Sequence, residues 1–199
     1  MSFKNFWENK HYSDDVYWLT GTPLSCILNY HNLKNEYFYN KSFLEIGVGS
    51  GTLAKDLRPT VMEYHCCDIS ENALRNLSEE VNSKWLTRDL NKIPPVDIAL
   101  CHLVFQHCDD DEVCRIIEDV NLKDGGTFLI QSSHSKSDRR LREYNLEFKK
   151  NLFFRNVQEL TRIINNTSKK IIEILPPISF DKKDGFEWIG WDIMRLSNK

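Results

Sequence analysis

Apolar and polar positions change their period repeatedly along this 199-residue chain. Short apolar runs at 42–48, 61–69 and 96–103, and another at 127–131, read as strands buried on both faces. A shorter strand fits 84–87. Between them the spacing turns helical, at 52–57, after Ser70 through Ala73 and Leu77, and at 111–120. Ser70 reads as an N-cap, and Asp109 and Glu112 are spaced as a capping box. Pro94-Pro95 marks a break and Asp124-Gly125-Gly126 a tight turn. In front, 3–12 and 22–33 read as helical pieces joined by a polar turn around 13–15 and 21–23.

The C-terminal part is less regular. The pattern predicts a long helix over about 138–164. A strand follows at 170–175, ended by Pro176-Pro177, and a last strand at 187–196. Strands alternating with helices as far as Gln131 predict a parallel sheet covered on both faces. The stretch 178–186 is too short and turn-rich for a parallel crossover, so the last pair is expected to be antiparallel.

Composition sharpens this only slightly. With 26 basic and 29 acidic residues the formal charge is -3, which argues against a strongly basic nucleic-acid surface. No run of eighteen apolar residues exists, so no membrane span is expected. The first fifteen residues lack the apolar core of a signal peptide, and a cytoplasmic location is the expectation. The cysteines do not form C-x-x-C pairs; Cys66-Cys67 are strand neighbours that should face opposite ways, so no metal site is expected. Aromatic residues crowd the front of the chain, where ten of them lie within the first forty residues.

The chemistry concentrates at the end of the first strand, Glu45-Ile46-Gly47-Val48-Gly49-Ser50-Gly51-Thr52. Glycines at the bend between a first strand and a helix let a ligand approach the backbone, and that edge of an open α/β sheet is its ligand crevice. The spacing is G-x-G-x-G rather than G-x-G-x-x-G, with Thr52 where a dinucleotide fingerprint has its last glycine. Glu45, two residues earlier, suits a ligand bearing an ammonium or sulfonium better than a pyrophosphate. Asp68 ends the second strand, 21 residues after Gly47, where a carboxylate can accept from ribose hydroxyls.

Together with Asp68-Ile69-Ser70, Arg88-Asp89-Leu90, Phe105-Gln106-His107 and Leu122-Lys123-Asp124-Gly125-Gly126, this motif resembles the class I, seven-stranded S-adenosylmethionine-dependent methyltransferases. The similarity runs over roughly 42–133. It implies an α/β three-layer sandwich around a mainly parallel sheet of order 3-2-1-4-5-7-6, the last strand antiparallel. It further implies a single domain over 1–199: a helical, aromatic-rich lid at 1–40, a cofactor-binding core at 41–134, and a substrate-side helix with the final strand pair at 135–199.

The same resemblance assigns roles. Glu45 and the loop of Gly47, Gly49 and Gly51 would face the methionine part of S-adenosylmethionine. Asp68 would hold the ribose, Ile69 would pack on the adenine, Asp89 would accept from its amino group, and the Leu90 amide would lie near the ring. Cys101 and His102 would line the methionine side through their backbone. The demethylated product would be S-adenosylhomocysteine.

The acceptor side carries fewer signals. Asn/Asp-Pro-Pro-aromatic, usual in adenine and glutamine N-methyltransferases, is replaced by Cys101-His102-Leu103-Val104-Phe105. The aromatic-Gln-His sequence that follows resembles the small-molecule branch, with a sugar or other metabolite as the acceptor partner. His107 is the candidate general base, or alternatively a structural or substrate-orienting residue. Tyr12 and Trp18 flank the polar turn of the N-terminal segment and are candidate cofactor contacts within a lid; core packing of two amphipathic helices is the other reading. Arg139, Arg140 and Arg142 suit either an anionic acceptor or a solvated helix face. Asp109 to Glu112 read as a helix N-terminus rather than a metal cluster. A methyltransferase of tRNA or protein, and a catalytically silent cofactor-binding subunit, are the alternatives.

Overall fold

The computed structural model describes residues 33, 35–77, 81–133, 141–145, 150–178 and 191–199. The expected N-terminal helices lie outside them apart from Leu33, and Tyr12, Trp18, Arg139 and Arg140 lie outside them as well.

The elements run α1 (Asn35–Phe38), β1 (Ser42–Ile46), α2 (Thr52–Leu57), β2 (Glu63–Asp68), α3 (Glu71–Arg75) and β3 (Ser83–Leu86). After a 3-10 segment at Thr87–Lys92 come β4 (Val96–His102), a 3-10 turn at Phe105–His107, α4 (Asp110–Asp119) and β5 (Leu122–Ser133). The chain ends with β6 (Leu141–Asn145), β7 (Lys150–Phe154), α5 (Val157–Asn165), β8 (Lys169–Ile178) and β9 (Trp191–Asn198). Seven strands make one sheet, β3-β2-β1-β4-β5-β9-β8. Counted within that sheet the order is 3-2-1-4-5-7-6. β1 to β5 pair in parallel, and β9 is antiparallel to both β5 and β8.

Alternation along the strands builds the two cores. Phe43, Tyr64, Cys66, Ile98, Leu100 and Leu129 belong to one buried cluster, with Leu53 and Leu57 of α2 and Ala73 and Leu74 of α3. Their strand neighbours Leu44, Cys67, Ala99, Cys101, Phe128 and Ile130 belong to the other, with Val113, Ile116 and Ile117 of α4 and Leu160, Ile163 and Ile164 of α5. Because both faces of the inner strands are covered, their sequences read as continuous apolar runs. Cys66 and Cys67 divide between the two layers for the same reason.

Polar groups register β1 against β4. The Ser42 amide and hydroxyl donate to Asp97 Oδ2 at 2.8 and 2.7 Å, Lys123 Nζ donates to the same oxygen at 2.9 Å, and the Asp97 amide donates back to Ser42 Oγ at 3.0 Å. Partial burial raises the Asp97 pKa, but the donors from Ser42 and Lys123 outweigh it and hold the carboxyl down at about 2.

Three sequence expectations are corrected. The helix expected over 138–164 is instead an antiparallel pair, β6–β7, in a sheet of its own, followed by the short α5. A fresh N-cap separates them: Asn156 Oδ1 accepts from the Glu159 amide and Glu159 Oε2 accepts from the Asn156 amide, so helix starts there rather than continuing. Pro176-Pro177 do not end β8. That strand is the sheet edge, where a missing amide donor is tolerated, and its pairing with β9 shifts register between Leu175 and Ile178. The turn at Asp124-Gly125-Gly126 is an irregularity inside β5. Pairing with β4 passes from Val96–Leu122 to Ile98–Thr127 across it, and Gly125 takes φ +73°.

Candidate active site

The C-terminal ends of β1, β2 and β4 lie side by side, since Ile46 pairs with both Cys67 and Cys101. The glycine loop leaves β1 at this edge. The Gly47 amide donates to Cys67 O at 2.8 Å, and the Gly51 amide to Val48 O at 2.9 Å. Gly47 has φ +78°, and a Cβ built there would stand 2.2 Å from Val104 Cγ2. Glycine at this position lets the loop after β4 close on the loop after β1. Gly49, at φ +52°, is different: a Cβ there would meet nothing within 4 Å, so its backbone borders open space. Gly51, in the left-handed conformation, is the N-cap residue of α2.

Asp68 closes the loop from the side. Its Oδ2 accepts from the Gly49 amide at 3.1 Å and its Oδ1 from the Ser70 amide at 2.9 Å. Ser70 caps α3 by accepting from the Ala73 amide, which fixes the β2–α3 turn that carries Asp68. Ile69, between them, is 40% exposed beside a carboxylate that is only 6% exposed. An apolar side chain and a carboxylate are thereby presented together at the strand end.

Glu45 lies behind the loop in the middle of the parallel sheet and is 5% exposed. Tyr64, one strand over, donates its hydroxyl to Glu45 Oε2. Burial pushes the Glu45 carboxyl up to about 8; the Tyr64 hydrogen bond opposes the rise and the nearby Asp68 charge adds to it. A buried acid held this way is neutral near pH 7 and gains from a cation placed beside it.

On the next edge, β3 pairs Leu86 with Asp68, and Asp89 follows in the 3-10 segment. Asp89 Oδ1 accepts from Lys92 Nζ at 2.6 Å, and Oδ2 lies 3.7 Å from Arg88 Nε. These cations hold its carboxyl below the usual range, the Lys92 hydrogen bond first among them. The Leu90 side chain is buried in the same core cluster as Cys67 and is a packing residue there.

β4 ends in Cys101 and His102. Cys101 is buried, and burial carries its thiol well above the ordinary range, which makes it a packing residue. Burial pushes the His102 pKa down to about 4, against a smaller opposing effect of Gln131, its register partner on β5. Leu103 then takes φ +55°, a costly conformation for a branched side chain, with its amide donating to Gln131 O at 3.0 Å. Val104 and the 3-10 turn follow. Phe105 and Gln106 are buried and His107 is half-buried, its Nε2 3.5 Å from Gln106 Nε2.

Glu45, Gly47, Gly49, Gly51, Asp68, Ile69, Cys101 and His102 therefore share one sheet edge, with His107 on the turn that leaves it and Asp89 and Leu90 beyond β3. Two residues belong to the site that sequence reasoning passed over. Tyr64 holds Glu45, and its signal is a hydroxyl-bearing residue two register positions from Glu45, on the same face of the neighbouring strand. Arg155 clamps the turn after β4 from 45 to 50 residues away in sequence and has no local signal at all.

The donor set fits S-adenosylmethionine. A buried acid suits a cationic group, a strand-end carboxylate beside an exposed apolar residue suits a nucleoside, and the Gly49 backbone borders open space.

Residues 44–128, which span these positions apart from Arg155, match a family model described as a methyltransferase domain. No curated protein matches the chain in sequence. Among solved structures the chain is similar to the DhpI–SAH complex, with TM-score 0.67 and 14% identity over 98% of this chain and 94% of that one. It is also similar to the CcbJ methyltransferase from Streptomyces caelestis, with TM-score 0.67 and 13% identity over 98% of each chain. A third likeness is to the 1,6-didemethyltoxoflavin-N1-methyltransferase of Burkholderia thailandensis with 1,6-didemethyltoxoflavin and S-adenosylhomocysteine bound. There the TM-score is 0.65 and the identity 14%, over 92% of this chain and 81% of that one. At these identities the likeness concerns the fold.

Proposed function

We propose that this chain, whose residues 44–128 match a methyltransferase domain and whose sheet has the class I order, is a class I methyltransferase that transfers a methyl group from S-adenosylmethionine to an oxygen or nitrogen of a small-molecule acceptor. One observation carries the cofactor half: the glycine loop that follows the buried, Tyr64-held Glu45 in sequence is tied to Asp68 through the Gly49 amide. S-adenosylmethionine, when bound, supplies a methyl group already activated on a sulfonium.

The chain's own residues have the task of binding and alignment. Asp68, at the end of β2, accepts from ribose hydroxyls. Ile69 offers its exposed face to the adenine, with Asp89 and the Leu90 amide as polar contacts at its edge. Glu45 stabilises the cationic methionine end, and Gly47, Gly49, Gly51 and the backbone of Cys101 and His102 line that end. His107, on the turn beyond β4, orients the acceptor or takes its proton where the acceptor must lose one to react.

The acceptor half rests on three supports. The turn after β4 carries Phe105-Gln106-His107 in place of a Pro-Pro-aromatic loop. The balance of charge is acidic. One solved structure of the same fold holds the small molecule 1,6-didemethyltoxoflavin. Residues 1–40, with Tyr12 and Trp18, cover the site in this reading, 41–134 hold the cofactor, and 135–199 border the acceptor. Among the described residues no helix is long and apolar enough to cross a membrane; a cytoplasmic site of action is part of the proposal.

Isothermal calorimetry with S-adenosylhomocysteine tests the cofactor half: saturable one-to-one binding is expected, and no heat of binding sinks the reading. Methyl transfer from labelled S-adenosylmethionine to a metabolite extract, but not to tRNA or protein, tests the acceptor half. Label recovered in macromolecules reverses that choice. Absence of transfer to any acceptor by a chain that binds the cofactor marks a silent subunit.

A further inference from the structure

We propose that Arg155 is a positioning residue for the acceptor side of the site: it sets the Phe105–His107 turn and with it the direction in which Gln106 and His107 face. The inference rests on the reading of that turn as the acceptor wall.

Arg155 follows β7 and immediately precedes Asn156, the N-cap of α5. Only 2% of it is exposed. Nη1 donates to Phe105 O at 2.7 Å, and Nη2 donates to Cys108 O at 2.7 Å. Nε and Nη2 both donate to Asp110 Oδ1, at 2.9 and 2.8 Å. The guanidinium carbon stands 5.4 Å from the centre of the Phe153 ring. The two carbonyls bracket Gln106 and His107, one on each side. A planar fork that bonds both fixes the span of the turn, and the carboxylate of Asp110 fixes the plane of the fork.

The turn needs such an external hold. Its own backbone span is short: the His107 amide donates to Val104 O at 2.9 Å and the Cys108 amide to Phe105 O at 3.2 Å, with the Cys108 thiol also reaching Val104 O at 3.6 Å. It begins at Leu103, whose φ of +55° persists only where the surroundings over-determine it. The Leu103 amide is anchored to β5 on one side, and Arg155 anchors the other side to the β7 end. An arginine serving α4 alone would have met Asp110 and left the carbonyls to water. Lysine, with one ammonium on a flexible stem, cannot reproduce the three-acceptor geometry.

The test uses the full-length chain, Arg155→Lys, and S-adenosylhomocysteine as the probe. Histidine ring resonances are followed by NMR through a pH titration, with His107 assigned by its loss in His107→Gln. The expected result is a displaced His107 midpoint in Arg155→Lys, while the His65 midpoint is unmoved and the affinity for S-adenosylhomocysteine stays within about twofold. A His107 midpoint unchanged in the folded variant overturns the proposal. So does an equal displacement of His65, which marks a global loosening. If Arg155→Lys does not fold, Asp110→Asn keeps every guanidinium donor and weakens the anchor: a smaller displacement of His107 supports the proposal, and none overturns it. Failure of the wild-type chain to bind S-adenosylhomocysteine sinks the functional reading instead, and is seen separately in the calorimeter.

Discussion

Glu45 combines a negative side chain with an environment that favours its neutral form. Unfolded, its carboxyl loses its proton near 4.5; folded, it keeps it until about 8. The folded chain binds more protons across that window, so this group makes stability fall as pH rises through it. Glu45→Gln lacks the component. Urea melts of both proteins between about pH 5 and 8.5 are expected to show the variant gaining on wild type as pH rises. Parallel profiles would mean that the carboxyl ionises freely in the folded chain. Asp68 is the opposite kind of residue, with each oxygen already accepting from a backbone amide. Asp68→Ala removes an anchor of the loop and, on the proposed reading, a ribose contact. Its affinity for S-adenosylhomocysteine, read by calorimetry, is expected to fall about 10- to 100-fold, the worth of a charged hydrogen bond. An unchanged affinity removes Asp68 from the ribose role.

At the scale of elements, the site depends on strand register. Asp68 stands opposite Leu86, and Cys101 opposite Ile46, because β1, β2, β3 and β4 are aligned in parallel. The Ser42–Asp97–Lys123 cluster pins β1 to β4 and β5 at the opposite edge. Asp97→Ala leaves the Ser42 amide without this acceptor. The variant is expected to lose about 1–3 kcal/mol of unfolding free energy in urea melts, with cofactor affinity little changed because the cluster is remote from the glycine loop. A large loss of affinity at full stability would contradict this division. Two helices were legible from their caps, at Ser70 and at Asp109 with Glu112. The stretch 138–164 was misread because apolar spacing there was weighed without the cap at Asn156, the local mark that a new helix begins.

For the whole molecule, the two apolar layers hold the sheet while the site occupies only its C-terminal edge. In the proposed binding mode a ligand gathered by Gly49, Asp68 and Glu45 ties β1 to β2. S-adenosylhomocysteine at a hundredfold excess over its dissociation constant is therefore expected to stabilise the folded chain by about 2.7 kcal/mol, seen as a raised melting temperature. At the same concentration Asp68→Ala is expected to show a smaller rise. Equal shifts in the two proteins would place the ligand elsewhere.

The sequence by itself determined the strand–helix alternation, the parallel sheet and the glycine edge of the site. Those follow from period, from buried runs such as 96–103, and from residues like Gly47 that few backbone geometries permit. Asp68 was legible too, since a strand end and a fixed separation from the glycines are local properties. What only the tertiary structure decided is everything that joins distant segments. Tyr64 meets Glu45 across strands, the bulge at Gly125 keeps β5 continuous, proline is accepted at β8 because that strand is an edge, and Arg155 reaches back to the turn bearing His107. Local period reports which face of an element is buried, whereas a hydrogen-bond partner 45 to 50 residues away is fixed only when the packed layers bring the two chains together.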